Sequence, residues 1–217
     1  MESVANIRRC VQCGTEFMPQ REHARFCSAR CRIAWNRGNA IDPTASATLN
    51  WAVTAMRHAT DRLLRARAWD RRHAFTVISE AVWWVTMVDA SLVRYHADTY
   101  AQLLATYDDS ERQAIEDTFA GLRFVRNQLG YARDHDHFIQ QPPGTPGRDA
   151  GRVADWMWRP VPRPELSALS PRAQDWEEAR HRSYQKQLAG QRVDHGFSRA
   201  AAFLRRASSP TASASDT

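Results

Sequence analysis

The sequence predicts a mainly α protein: a helical bundle, preceded by a small cysteine-rich module and followed by a helical appendage. Three observations carry that reading. No proline occurs between Pro43 and Pro142, and Gly121 and Gly130 are the only glycines between Asn50 and Ile139, so this stretch lacks the strongest helix breakers. Its apolar residues recur at three- and four-residue intervals. All four cysteines, Cys10, Cys13, Cys27 and Cys31, fall within 22 consecutive residues. With 217 residues the chain is long enough for one medium helical domain and a small satellite. The expected division is a module over 1–38, a linker over 39–46, the bundle over 47–141, a proline-rich strap and helical appendage over 142–207, and a disordered tail over 208–217.

The module comes first. Cys10-Val-Gln-Cys13 is followed by Gly14, and Cys27-Ser-Ala-Arg-Cys31 completes the set. Zinc favours four soft ligands in a tetrahedron, and two closely spaced pairs joined by a hairpin supply them. Gly14 allows the positive φ that a tight knuckle after Cys13 needs. The second pair opens a helical run, which places Cys27 and Cys31 one turn apart. Disulfides are disfavoured, because no secretory signal is read and no further cysteines exist to build a framework. His23 is a possible substitute ligand, but four thiolates already fill the shell. The expected cofactor is therefore one structural Zn2+, with no open position for chemistry. This layout is a treble clef or zinc ribbon. It resembles small bacterial zinc proteins, a family of gyrase inhibitors among them, that carry Cys-x2-Cys-Gly and then Phe-Cys-Ser-x-Arg-Cys, here Phe26 to Cys31. The resemblance covers residues 8 to 37.

Charge bears on partners. The formal net charge is +6, and Lys186 is the sole lysine. Arginine is the better phosphate partner, although a GC-rich genome gives the same bias and is the weightier explanation. Between Met1 and Arg37 seven arginines face Glu2, Glu16 and Glu22. Bound zinc with four thiolates removes about two of those positive charges. Arg21, Arg25, Arg30, Arg32 and Arg37 remain candidates for a nucleic-acid-facing patch; docking of a partner protein is the alternative.

Asn39 to Ser46 reads as a short linker, with Asp42 or Thr44 available as a helix cap. A first helix buries Leu49, Ala52, Val53, Met56, Ala59, Leu63 and Leu64. A second, about His73 to Tyr95, is apolar nearly all round and must be covered on several sides, so it is the expected central helix. Glu80 and Asp89 on it are expected at the bundle edge, each paired with an arginine. The apolar run from Ala81 to Val93 is broken by Asp89 and is shorter than a bilayer span; with no lipidation motif read either, the chain is expected to be soluble and cytoplasmic, without membrane contact. Asp98 to Tyr107 forms a short helix. Asp108 to Glu111 makes a turn and the acidic start of a helix reaching Phe138. That helix has a core stripe, Ile115, Leu122, Val125, Leu129 and Ala132, and a second stripe of Phe124, Tyr131 and Phe138 at seven-residue spacing. The second stripe meets either the C-terminal segment or a second copy of the chain, making a homodimer.

Gly121-Leu-Arg-Phe-Val-Arg126-Asn127-Gln-Leu-Gly-Tyr131 resembles the late helix of HEPN-superfamily domains, helical bundles that are commonly dimeric and often act as RNases in defence or toxin–antitoxin systems. The resemblance implies that Arg126 and Asn127 are the arginine and polar residue of the family signature. The family histidine, four to six intervening positions later, is replaced: Tyr131 stands there and His135 falls beyond the window. Phenol is a poor base near neutral pH, which favours binding over cleavage, with Arg126, Asn127, Tyr131 and His135 as the candidate catalytic set. Asp134-His-Asp-His137 reads as a solvated helix end, since adjacent helical residues diverge by about 100° and do not converge on one ion.

After a connector over 140–147, Trp156-Met-Trp158-Arg-Pro-Val-Pro162 is expected to lie as an extended strap on the bundle; a base-stacking platform is the alternative. Ser170 or Pro171 starts a charged helix ended by Gly190, and Asp194 to Arg206 forms the last helix. The composite expectation is a zinc protein with a HEPN-like bundle that binds nucleic acid, RNA before DNA, with enzyme activity doubtful. The alternatives are a protein-docking regulatory module and a DNA-binding zinc protein.

Overall fold

The computed structural model describes residues 7–208, apart from 13, 20, 22–23, 39–42, 69, 130–137, 143–150, 164–165 and 168. The chain divides into two compact units, Met1–Thr48 and Leu49–Thr217. Among the described residues there are seven α-helices and two small sheets of two strands each. The mainly α expectation holds.

In the smaller unit, β1 (Arg8–Arg9) pairs antiparallel with β2 (Glu16–Phe17), with Arg8 opposite Phe17. The hairpin is closed by Cys10 N–H to Thr15 O and Gly14 N–H to Cys10 O, 2.9 and 2.8 Å. Gly14 has φ +72°, the left-handed turn expected of it. A 3.1 Å bond from Val11 N–H to Arg25 O ties this knuckle to the segment that enters α1 (Ala29–Gly38).

The larger unit is built on α2 (Pro43–Arg65), of which residues from Leu49 on belong to it, and α3 (Arg71–Tyr95). α2 starts earlier than expected, so 43–46 are helix, not linker; proline suits a first turn because its missing N–H would have no helical partner there. Met56, Ala59 and Leu63 are buried on α2, but Leu64 is exposed, which narrows the expected apolar face. Asp70 caps α3 by accepting from His73 N–H at 2.7 Å. α3 packs against α4 (Ala97–Leu104), α5 (Asp109–Leu129) and α7 (Val193–Ser208), as a central helix should. Its covering is incomplete, however: Trp83, Met87 and Val93 are exposed. By length and apolarity alone α3 suffices to cross a bilayer, unlike the shorter Ala81–Val93 run, but half of its most apolar stretch is buried inside the protein.

Two corrections concern the second half. α5 ends at Leu129, so Phe138 is not on that helix; it forms the turn before β3 (Ile139–Gln140). The Phe124 and Phe138 rings nevertheless meet, 6.2 Å between centroids, and both lie against Tyr184 of α6 (Pro171–Gln187). Each is 1% exposed, so α6 covers them and they offer no homodimer surface; Tyr131 lies outside the described residues. The second correction is that the strap lies inside the core. β4 (Met157–Trp158) pairs with β3, while Trp158 N–H donates to Gln191 O and Gly190 N–H to Trp158 O. Trp156 and Trp158 are buried, which excludes them as a platform for bases. Tyr184 Oη donates to Arg159 O, and Gln185 Nε2 to Val161 O, so α6 side chains satisfy carbonyls of the segment after β4. What reads as an appendage is thus part of the bundle itself. α5 passes close to α6 at Gly121, where a Cβ would stand 3.1 Å from Tyr184 Cα. Gly190, with φ +75°, ends α6 as expected.

Candidate functional site

The cysteine cluster is assembled by the β1–β2 knuckle and the start of α1. Cys10, buried at the end of β1, brings its Sγ within 4.8 Å of those of Cys27 and Cys31, and these two are 3.5 Å apart. A disulfide needs an S–S distance near 2.05 Å, so Cys27 and Cys31 are not bridged to each other. Sulfurs on a tetrahedral zinc with bonds of about 2.3 Å sit about 3.8 Å from each other. The donor set and its spacing therefore fit a metal ion. Cys27 lies just before the helix rather than on it: Ser28 is the cap, its Oγ accepting from Cys31 N–H at 3.2 Å. Cys13 and His23 lie outside the described residues.

Beside Cys27 an open cleft of about 630 Å³ gathers three of the five candidate arginines, Arg21, Arg25 and Arg32, around Phe17, Met18 and Phe26. No acidic residue is among its described lining. Arg30 is exposed but does not line the cleft, and the side chain of Arg37 is outside what is described.

The larger unit holds a second concentration of charge where α3, α5 and α6 meet. Asp89 is wholly buried, not at the bundle edge, and accepts from Tyr100 Oη at 2.8 Å and from Arg123 Nη2. Burial pushes its carboxyl above the usual range; Arg123 and Tyr100 pull the other way. Glu80 pairs with Arg62 at 2.7 Å, as the sequence led one to expect of an acid there. On α6, Glu177 Oε1 accepts from Arg180 and from Asn127 Nδ2, while its Oε2 is buried without a partner. Arg126 stands among these groups, half-buried, with Asn127 Oδ1 3.5 Å from its Nη2. Burial, then Arg123 and Arg180, holds its guanidinium below the usual arginine value, though an arginine stays charged at neutral pH. Among the described residues, Asp89 pairs with Arg123 and Glu177 with Arg180, and the Arg126 guanidinium stands beside both pairs. Of the candidate catalytic set, the structure brings Arg126 and Asn127 into one cluster; Tyr131 and His135 lie outside the described residues.

Sequence reasoning passed over Arg123, although it precedes Arg126 by three and so shares its helix face. The charged helix that became α6 gave no sign that Glu177 would be buried against Asn127 of α5, because nothing in a single helix shows which of its faces a neighbour will cover. Comparison with protein-family models, with curated proteins and with solved structures finds no match. Both resemblances therefore rest on their own residues.

Proposed function

We propose that Cys10, Cys13, Cys27 and Cys31 hold one structural Zn2+ and that the protein binds nucleic acid, RNA in preference to DNA, through a HEPN-like bundle that binds without cleaving. The observation that supports this best is Arg126: a half-buried guanidinium flanked by Arg123 and Arg180, in a cluster where, among the described residues, three guanidinium groups stand beside two carboxylates. A half-buried cation has lost part of its hydration and gains from a nearby anion, and a phosphodiester is an anion that guanidinium groups match well. Binding is favoured over catalysis because Asn127 is engaged with Glu177 and because Tyr131 is a poor general base at neutral pH.

The test is a gel with labelled single-stranded RNA and zinc-loaded protein, without magnesium, beside Arg126→Ala. The expected result is a retarded, intact band that weakens about tenfold in the variant, as for loss of one charge-assisted contact. Cleavage abolished by Arg126→Ala would make the protein an RNase and send the search for its base to His135. No shift at all would remove the nucleic-acid reading.

One observation favours a second reading, the protein-docking module. Trp51 and Trp83 are exposed by 63% and 51%, and Trp51 stands edge-on to Trp84 at 5.0 Å. Apolar groups presented this way on α2 and α3 suit a protein interface. Light scattering of the full chain beside Trp83→Glu tests it: an assembly dissolved by the substitution supports docking between copies, and a monomer in both counts against it.

A further inference from the structure

The cleft in the smaller unit combines two kinds of surface that seldom coincide by chance. Arg21, Arg25 and Arg32 are all exposed around it, and each belongs to a different part of the segment: the turn after β2, the strand-like run before Cys27, and the first turns of α1. Between them lie Phe17, Phe26 and Met18, the last 71% exposed. Phe26 is braced from behind by Trp35, 6.0 Å between ring centroids, and the Arg25 guanidinium stands 6.0 Å from the Phe26 ring. The volume, about 630 Å³, is in the range of pockets that take one small molecule of nucleotide size.

Guanidinium groups on the rim and an apolar, aromatic floor are the two halves of a single-strand nucleic-acid site, in which the backbone follows the charge and a base lies on the ring. We propose that this cleft takes one unpaired base of a single-stranded nucleic acid, with the phosphates on either side of it held by Arg21, Arg25 and Arg32. An acidic peptide would use the arginines but has nothing to lay on Phe17, Met18 and Phe26. A duplex would use the arginines but keeps its bases stacked away from the floor. The site shares its class of ligand with the reading above and none of the bundle residues that reading rests on.

The test is fluorescence anisotropy of the zinc-loaded full chain with labelled ten-nucleotide oligo(U) and oligo(dT), across a series of salt concentrations. Arg21→Ala/Arg25→Ala/Arg32→Ala should lower affinity at least tenfold and flatten the slope of log K against log salt by about 2, from about 0.7 for each phosphate released on a single strand. Met18→Ser, at a side chain too exposed to disturb the fold, should weaken binding about threefold and leave the salt slope alone. Both effects should persist in an Arg126→Ala background. Binding of either oligonucleotide in this pattern supports the site, and a preference for oligo(U) assigns it to RNA. An unchanged slope in the triple variant overturns it, whatever Arg126→Ala does. Equal affinity for a blunt duplex, or competition by polyglutamate as strong as by the oligonucleotides, overturns it too.

Discussion

The two units reach a fixed shape by different means. The larger one buries apolar side chains on every helix from α2 to α7 except α4, and on the strap between α5 and α6. The smaller one has little to bury: among its described residues Ile7, Val11, Met18 and Ile33 are exposed, and Cys10 is the one hydrophobic residue counted in the core. A unit this small does not cover enough apolar surface to hold itself together. What it has instead is a hairpin, a helix cap and three cysteines close enough together to hold one ion. The lesson is that the two parts of this chain answer to different stresses, chelation for one and cavity formation for the other.

Stripping the metal should separate them most sharply. The proposed Zn2+ would contribute on the order of 10–16 kcal/mol, as structural zinc does in zinc-finger peptides, more than such a module can replace. Chelation, or Cys27→Ser, is therefore expected to unfold residues 1–48 while far-ultraviolet circular dichroism, which reports mainly the helices of the larger unit, changes little. Metal content by elemental analysis and proteolysis mapped to the N-terminal segment check this. A concerted loss of both units would erase the distinction. Trp158→Ala strikes the opposite unit. Truncating a fully buried tryptophan is expected to cost about 3–5 kcal/mol, seen as a lowered urea midpoint with zinc still bound.

The smallest effect is a pH dependence that belongs to the larger unit alone. Burial by itself would raise the carboxyl of Asp117, but hydrogen bonds from Lys186 and Ser183, both at 2.8 Å, outweigh it and hold that carboxyl below the usual range. A carboxylate with a lowered pKa stabilises the fold above its unfolded value of about 3.9 and loses that contribution as pH falls through the folded one. Lys186 is largely exposed, so the pair is worth no more than about 1 kcal/mol. Lys186→Met should therefore narrow the gap between urea midpoints at pH 7 and pH 3 slightly, and leave the metal-dependent transition where it was.

Much of this division can be read from residues. The cysteine spacing and Gly14 mark the knuckle, because metal geometry and positive φ each restrict residue type. The helices announce themselves through periodicity and the missing prolines, and Gly190 through its place after a charged run. Long-range choices are harder to see. Phe124, Tyr131 and Phe138 share a seven-residue spacing that suits one helix, yet Phe138 reaches Phe124 from a turn beyond α5. Trp156 and Trp158 read as a surface strap, since nothing local reveals that residues 190–193 and β3 will flank them. In the candidate sites, composition identifies an arginine surplus but not which three arginines converge on one cleft, nor that Arg123 pairs with Asp89 while Arg126 lies beside Asn127.

The position of the strap also dictates an order of events. Ala68 N–H donates to Gly151 O and Val153 N–H to Ala66 O, both at 2.9 Å, and Val193 N–H donates to Trp156 O. The linker between the first two long helices is thus stitched to chain made more than eighty residues later, and that stretch in turn waits for the last helix. A nascent polypeptide that has emerged only as far as β3 has made α3 without α6, α7 or the two tryptophans that close its core. The smaller unit, complete within its own residues, can finish on the ribosome while the larger one is still waiting for its end.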